Sequence, residues 1–241
     1  MPLRPLRLAA AAAAFLAAGA ATPAGVAGAQ VYDLAISGIP IGTVTLRGEQ
    51  SGKDYRATGK ITPTALISAL TSYSFDGVAS GVVDGGGKVQ PVRFSADSTS
   101  PRAARRTEIE WSGATPVKVS VVPPRKHAPD PNGVVGALDP VSASFALLRD
   151  APVERICATS IDVFDGSRRS RLTLGEPVAT GDGRFSCAGI YAQLEGEKQS
   201  FATEAEYPFT LIFGPGAGEM LQLERIETRT RFGPAVVTRR G

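Results

Sequence analysis

Apolar and polar residues alternate with a period of two along most of this chain, the pattern of antiparallel strands that bury one face. Tyr32, Leu34 and Ile36 fall on one side and Asp33 and Ser37 on the other. Ser37-Gly38-Ile39-Pro40 reads as a turn, after which Val44 and Leu46 oppose Thr43, Thr45 and Arg47. Tyr55, Ala57 and Ile61 then alternate with Asp54, Arg56, Thr58 and Lys60. Strands over 73–83 and 88–98 flank Asp84-Gly85-Gly86-Gly87, a hairpin turn by composition. Ile109 and Trp111 oppose Glu108 and Glu110, and Val117, Val119 and Val121 oppose Lys118 and Ser120. Further strands are predicted near 155–164, 168–175, 183–194, 200–213, 219–231 and 235–239, with a tight turn at Asp165-Gly166.

Two short helices interrupt the meander. Thr62-Pro63 reads as an N-cap followed by proline at the first helical position, and Leu66, Ile67 and Leu70 form an apolar stripe. Asp139-Pro140 repeats the device, with Val141, Phe145 and Leu148 on one face and Arg149 in the last turn, where a cation suits the helix dipole. Between the strands and this helix, 123–138 carries Pro123-Pro124, Arg125-Lys126-His127 and Asp130-Pro131-Asn132-Gly133, and reads as a mobile surface loop. The fold class expected is all-β: a mainly antiparallel meander, bent into a curved sheet or open barrel, with two short helices.

The first 29 residues change the setting. Arg4 and Arg7 precede an apolar run over 8–21, Pro23 and Gly25 break it, and Ala27-Gly28-Ala29 offers a small-x-small cleavage pattern. This predicts a signal peptide cut between Ala29 and Gln30, with 30–241 as a single β-rich domain. A membrane anchor needs about 20 apolar residues; this run is shorter and mostly alanine. There is no cysteine near the cut to carry a lipid, and no later stretch is long enough to span a membrane. The expected location is the periplasm.

Export also alters the charge balance. Of 26 basic residues, Arg4 and Arg7 leave with the leader, so 24 face 23 acidic residues in the mature chain. No net field remains to attract phosphates, and nucleic acid is not an expected partner. The clusters Arg102, Arg105, Arg106 and Arg168, Arg169, Arg171 read as solvated strand faces. The only cysteines, Cys157 and Cys187, are most simply one disulfide in an oxidising compartment.

Candidate chemistry is sparse. One histidine, His127, sits in the proline-rich loop, where a base is poorly held, and two cysteines with no clustered carboxylates assemble no ordinary metal site. The serine of Gly77-Val-Ala-Ser-Gly81 falls one place late for a nucleophile elbow, and Gly87-Lys88 is followed by valine, so neither glycine motif carries catalysis or phosphate binding. No catalytic, cofactor-binding or metal residue is assigned, and no cofactor is expected.

The segment Ile36-Ser-Gly-Ile-Pro-Ile-Gly42-Thr, the Asp139-Pro-Val-Ser-Ala143 helix start and the Cys157…Asp165-Gly166…Arg169…Cys187…Tyr191 run resemble an exported bacterial family, domain of unknown function 3108. The resemblance runs from about Tyr32 to Val237. It implies a periplasmic location in a Gram-negative envelope and an extensively β fold, and it supplies no reaction. The function expected is a non-catalytic binding or structural module of the cell envelope, holding a lipid or other amphiphile on its concave face. The alternatives are an envelope-assembly scaffold that binds another envelope protein, or a carboxylate-dependent cell-wall hydrolase.

Overall fold

The alternating segments pair with their sequence neighbours almost without exception. The computed structural model describes residues 29–196 and 206–241; the expected leader, apart from Ala29, and the 200–205 stretch of one predicted strand lie outside the described residues. The strands are β1 (Ala29–Ile36), β2 (Ile39–Ser51), β3 (Asp54–Pro63), β4 (Ser74–Val83), β5 (Val89–Ser100), β6 (Ala103–Ser112) and β7 (Thr115–Val122) in the first half. The second half contributes β8 (Thr159–Phe164), β9 (Arg168–Leu174), β10 (Val178–Gly181), β11 (Arg184–Gly196), β12 (Glu206–Pro215), β13 (Leu221–Thr230) and β14 (Gly233–Arg239). Helix α1 (Ala65–Leu70) joins β3 to β4, and α2 (Pro140–Leu148) lies between the halves.

All described strands belong to one antiparallel sheet in the order β7-β6-β5-β4-β3-β2-β1-β14-β13-β12-β11-β9-β8, with β10 pairing beside β11. The two halves join where β1 meets β14, Tyr32 opposite Arg239 and Ile36 opposite Ala235. The sheet curls around α2 as an open barrel and does not close. β7 and β8 are its free ends, and the segment before α2 fills the gap. Leu138 donates its amide to Asp162 O and accepts from Phe164 N, both at 2.8 Å, while Gly136 N reaches Ala114 O at 2.8 Å. The predicted mobile loop is thus only half a loop. Val134, Ala137 and Leu138 are core residues, because an apolar stretch next to two unpaired strand edges has both faces and backbone to satisfy. His127 stays exposed, with φ 59°.

Other expectations need correction. Helix α1 is capped by Thr64, whose side chain accepts from Ile67 N; Thr62 and Pro63 remain in β3, paired with Thr43 and Gly42. Leu66 and Leu70 are 60% and 75% exposed and only Ile67 of the predicted α1 stripe is partly buried, so most of the stripe faces outward. Val117 leaves the Val119–Val121 face because a bulge opposes Glu110–Trp111 to Lys118 and Pro116. The strand near 155 begins only at Thr159, after a 3-10 turn over Val153–Arg155, and the four-residue β10 carries no alternation by which to predict it. Among the described residues, no helix is long and apolar enough to cross a membrane.

Candidate functional site

The concave face is organised by α2. Asp139 accepts from Val141 N and Ser142 N at 2.9 Å each, and Pro140 takes the first helical position, as the sequence predicts. The same carboxylate accepts from Ser142 Oγ, which also meets Tyr55 Oη at 2.6 Å. Asp139 is wholly buried. Burial drives its carboxyl up to about 6, against the hydrogen bonds from Ser142 and Val141 that favour the ionised form. Burial likewise pushes the Tyr55 hydroxyl well above its ordinary value. This buried chain fixes the start of α2 to β3.

The next turn of α2 is seated by aromatic stacking and by strand glycines. Phe145 stacks on Tyr55 with centroids 4.9 Å apart and rings 8° from parallel. A β-carbon on Gly48 would stand 2.6 Å from the Phe145 ring, and one on Gly77 would stand 3.0 Å from Val141 Cγ2. At the far end Gln30 Nε2 donates to Leu148 O at 3.3 Å, and Gln30 Oε1 accepts from Tyr32 Oη at 3.1 Å. Ala29 and Gln30, the expected cleavage positions, open β1 opposite Arg47 and Leu46. Arg149 is the residue that ends α2 rather than part of its last turn; its side chain reaches Gly87 O.

On its other flank α2 leaves space. Ala143 and Leu147 face Leu172, Phe209, Leu211 and Ile226 across a cleft of about 500 Å³. Tyr191 and Tyr207 stand beside it with ring centroids 6.3 Å apart, and Ser170 Oγ meets Tyr191 Oη at 2.7 Å. The floor is the second of two core clusters, which surrounds Cys187, Leu211, Phe213 and Leu223. The Cys157–Cys187 disulfide ties the entry to β8 onto β11 below this floor, with Cα atoms 6.0 Å apart.

Asp162, near the site, is committed to structure. Arg169 and Arg171 converge on Asp162 at 2.7 and 2.6 Å, and Arg171 first, then Arg169, hold its carboxyl below the usual range. The second arginine cluster is therefore a half-buried network rather than a purely solvated face. In the first cluster, Arg106 pairs in the open with Asp97 and Glu108. Among the described residues, no group of three or more His, Cys, Asp or Glu side chains could hold a metal ion.

The family model described as "Protein of unknown function (DUF3108)" matches residues 31–239, which include every described strand and both helices except Ala29 and Gln30 at the start of β1. The chain belongs to that family. A solved structure described as a β-barrel-like protein of domain of unknown function DUF1849, from Brucella abortus, is similar to this DUF3108 chain with a TM-score of 0.46 and 12% identity. That similarity covers 88% of this chain and 94% of the other. No curated protein matches the chain. The sequence pattern located the Asp139 cap and both cysteines of the site. Gly48 was unmarked and Gly77 was noted only as part of a rejected elbow motif, since a strand glycine shows nothing of the side chain that will lie against it.

Proposed function

We propose that this DUF3108 chain is an exported periplasmic module of the cell envelope, without catalytic activity, that holds a lipid or other amphiphile in the cleft beside α2. The cleft itself carries the reading. Its walls are Leu147, Leu172, Phe209, Leu211 and Ile226, and its volume of about 500 Å³ is left unfilled inside a curled sheet. Packed interiors leave few voids larger than a water molecule, whereas ligand pockets run from roughly 300 to 1,000 Å³ with mainly apolar walls. The two tyrosines, Ser144, Thr228, Thr230 and Arg229 supply polar groups around a mainly apolar surface. The buried Asp139 and the partly buried Asp162 serve a helix cap and an arginine network, which weighs against a carboxylate-dependent hydrolase.

The test is saturable uptake of a fluorescent apolar probe by the mature chain, reversed by added phospholipid. A Leu172→Trp variant, which fills the cleft, is expected to weaken the probe by about tenfold while leaving the far-ultraviolet spectrum unchanged. A linear, non-saturating signal that Leu172→Trp leaves unaltered would overturn the reading. Export is tested separately: protein from the periplasmic fraction is expected to begin at Gln30, and a chain still carrying Arg4 and Arg7 would refute it.

A further inference from the structure

The Gly86-Gly87 turn, the end of α2 and the 3-10 turn over Val153–Arg155 meet around a second cavity, of about 470 Å³. Leu147 lines both this cavity and the apolar cleft. Two guanidinium groups converge in it from different segments. Arg149 donates to Gly87 O and lies over the Phe145 ring, 5.8 Å from its centroid. Arg155 enters from the 3-10 turn. Each guanidinium has an Nη atom 3.4 Å from the place a β-carbon on Gly87 would occupy. Lys88, Thr159 and Ser160 complete the polar wall. Ala158, beside them, holds φ 51°, a conformation costly for a residue with a β-carbon.

Two like charges at one backbone position repel, and one of them is half-buried. Burial and then Arg155 pull Arg149 below the ordinary arginine range. Neither arginine is paired with a carboxylate among the described residues. Asp162 lines the same cavity, but Arg169 and Arg171 occupy it. Closing the glycine turn explains Arg149, which reaches the Gly87 carbonyl alone. It does not explain Arg155, for which an added negative charge is the natural complement.

We propose that Arg149, Arg155 and Lys88 form a binding site for an oxyanion of the phosphate class, with the Thr159 and Ser160 hydroxyls as further donors. The site stands on this geometry and does not require the amphiphile reading. Because Leu147 separates it from the apolar cleft, the anion is either free in solution or the head of a molecule whose chain passes Leu147.

The test is calorimetric titration of the mature chain at constant ionic strength, first with inorganic phosphate and then with dodecyl phosphate. Saturable phosphate binding is expected, weakened about tenfold or more by Arg155→Gln, which removes a charge-assisted contact. Arg155 is exposed, so that variant keeps its fold; Arg149→Lys, which keeps the charge and loses the planar fork, is expected to weaken binding less. Dodecyl phosphate binding far more tightly than phosphate, with the gain lost in Leu172→Trp, assigns the anion as a headgroup. Equal affinities assign a free anion, and the site stands in both cases. Phosphate binding without probe uptake would defeat only the amphiphile reading. No saturable binding of either phosphate, or binding that Arg155→Gln and Arg149→Lys leave unchanged, would overturn the site.

Discussion

Gly48 lies under Phe145 with no room for a methyl group: a β-carbon there would stand 2.6 Å from the ring. A Gly48→Ala substitution forces the Phe145–Tyr55 stack apart and is expected to cost about 1–3 kcal/mol, the usual range for overpacking. Gly85→Ala, where nothing lies within 4 Å, is the control; urea midpoints of the two compare them directly. Asp139 gives a pH prediction of uncommon sign. Its carboxyl is raised from 3.8 to about 6 in the folded chain, so the folded state binds the proton more tightly than the unfolded state. Its contribution to stability is present in full below about 3.8 and is lost as pH rises through about 6. Asp139→Asn is expected to flatten that part of the stability curve. If denaturation of the variant and the parent changed in parallel between those pH values, the assignment to Asp139 would fail. The Asp139-Pro140 start was legible because an acid and a proline each have one local use there. The glycines were not, since the ring above Gly48 comes from 97 positions further along the chain.

At the scale of elements, period-two alternation identified most strands because each buries one face against the same core. It failed where an element answers to something other than its own pattern. Helix α1 has an apolar stripe of which Leu66 and Leu70 stay exposed. The 131–138 segment lacks any periodicity, yet it pairs with the open edge of β8 and bonds Ala114 O just before β7. Leu138→Ala at that closure is expected to destabilise the chain by about 2–5 kcal/mol, as for other buried leucines, and to raise hydrogen exchange at Phe164 N, which donates to Leu138 O. Unchanged exchange there would show that the closure is not held by this residue. The disulfide is a constraint of the same kind, anticipated from count and compartment alone. It joins residues 30 apart and is buried at both ends. Replacing both cysteines with alanine is expected to lower stability by about 2–5 kcal/mol, read as a displaced urea midpoint with a steeper slope, because the unfolded chain without its cross-link exposes more surface. It also loosens the turn that presents Arg155.

For the whole molecule, neighbour-to-neighbour pairing was foreseeable, and the join between the two ends of the sheet was not. β1 lies opposite β14, more than 200 positions away, and nothing local in either strand names the other. That join makes one sheet of two seven-stranded halves; the two core clusters straddle the halves, the first reaching Phe164 of β8 and the second Tyr32 of β1, and α2 belongs to both. Val141, Ala143 and Phe145 sit in the first cluster, while Leu147 and Leu148 pack on the second. The cleft exists because α2 fills one side of the curl and not the other. A chain truncated after Arg231 loses β14, exposing the edges of β1 and β13 and uncovering Tyr32, which is buried at the join. An unpaired internal edge is a template for association. The truncated chain is therefore expected to aggregate on refolding, and a synthetic peptide of residues 232–241 added during refolding is expected to restore monomer and probe uptake together. Monomeric, probe-binding protein obtained without the peptide would show that the halves are held by α2 alone and that the β1–β14 pairing is dispensable.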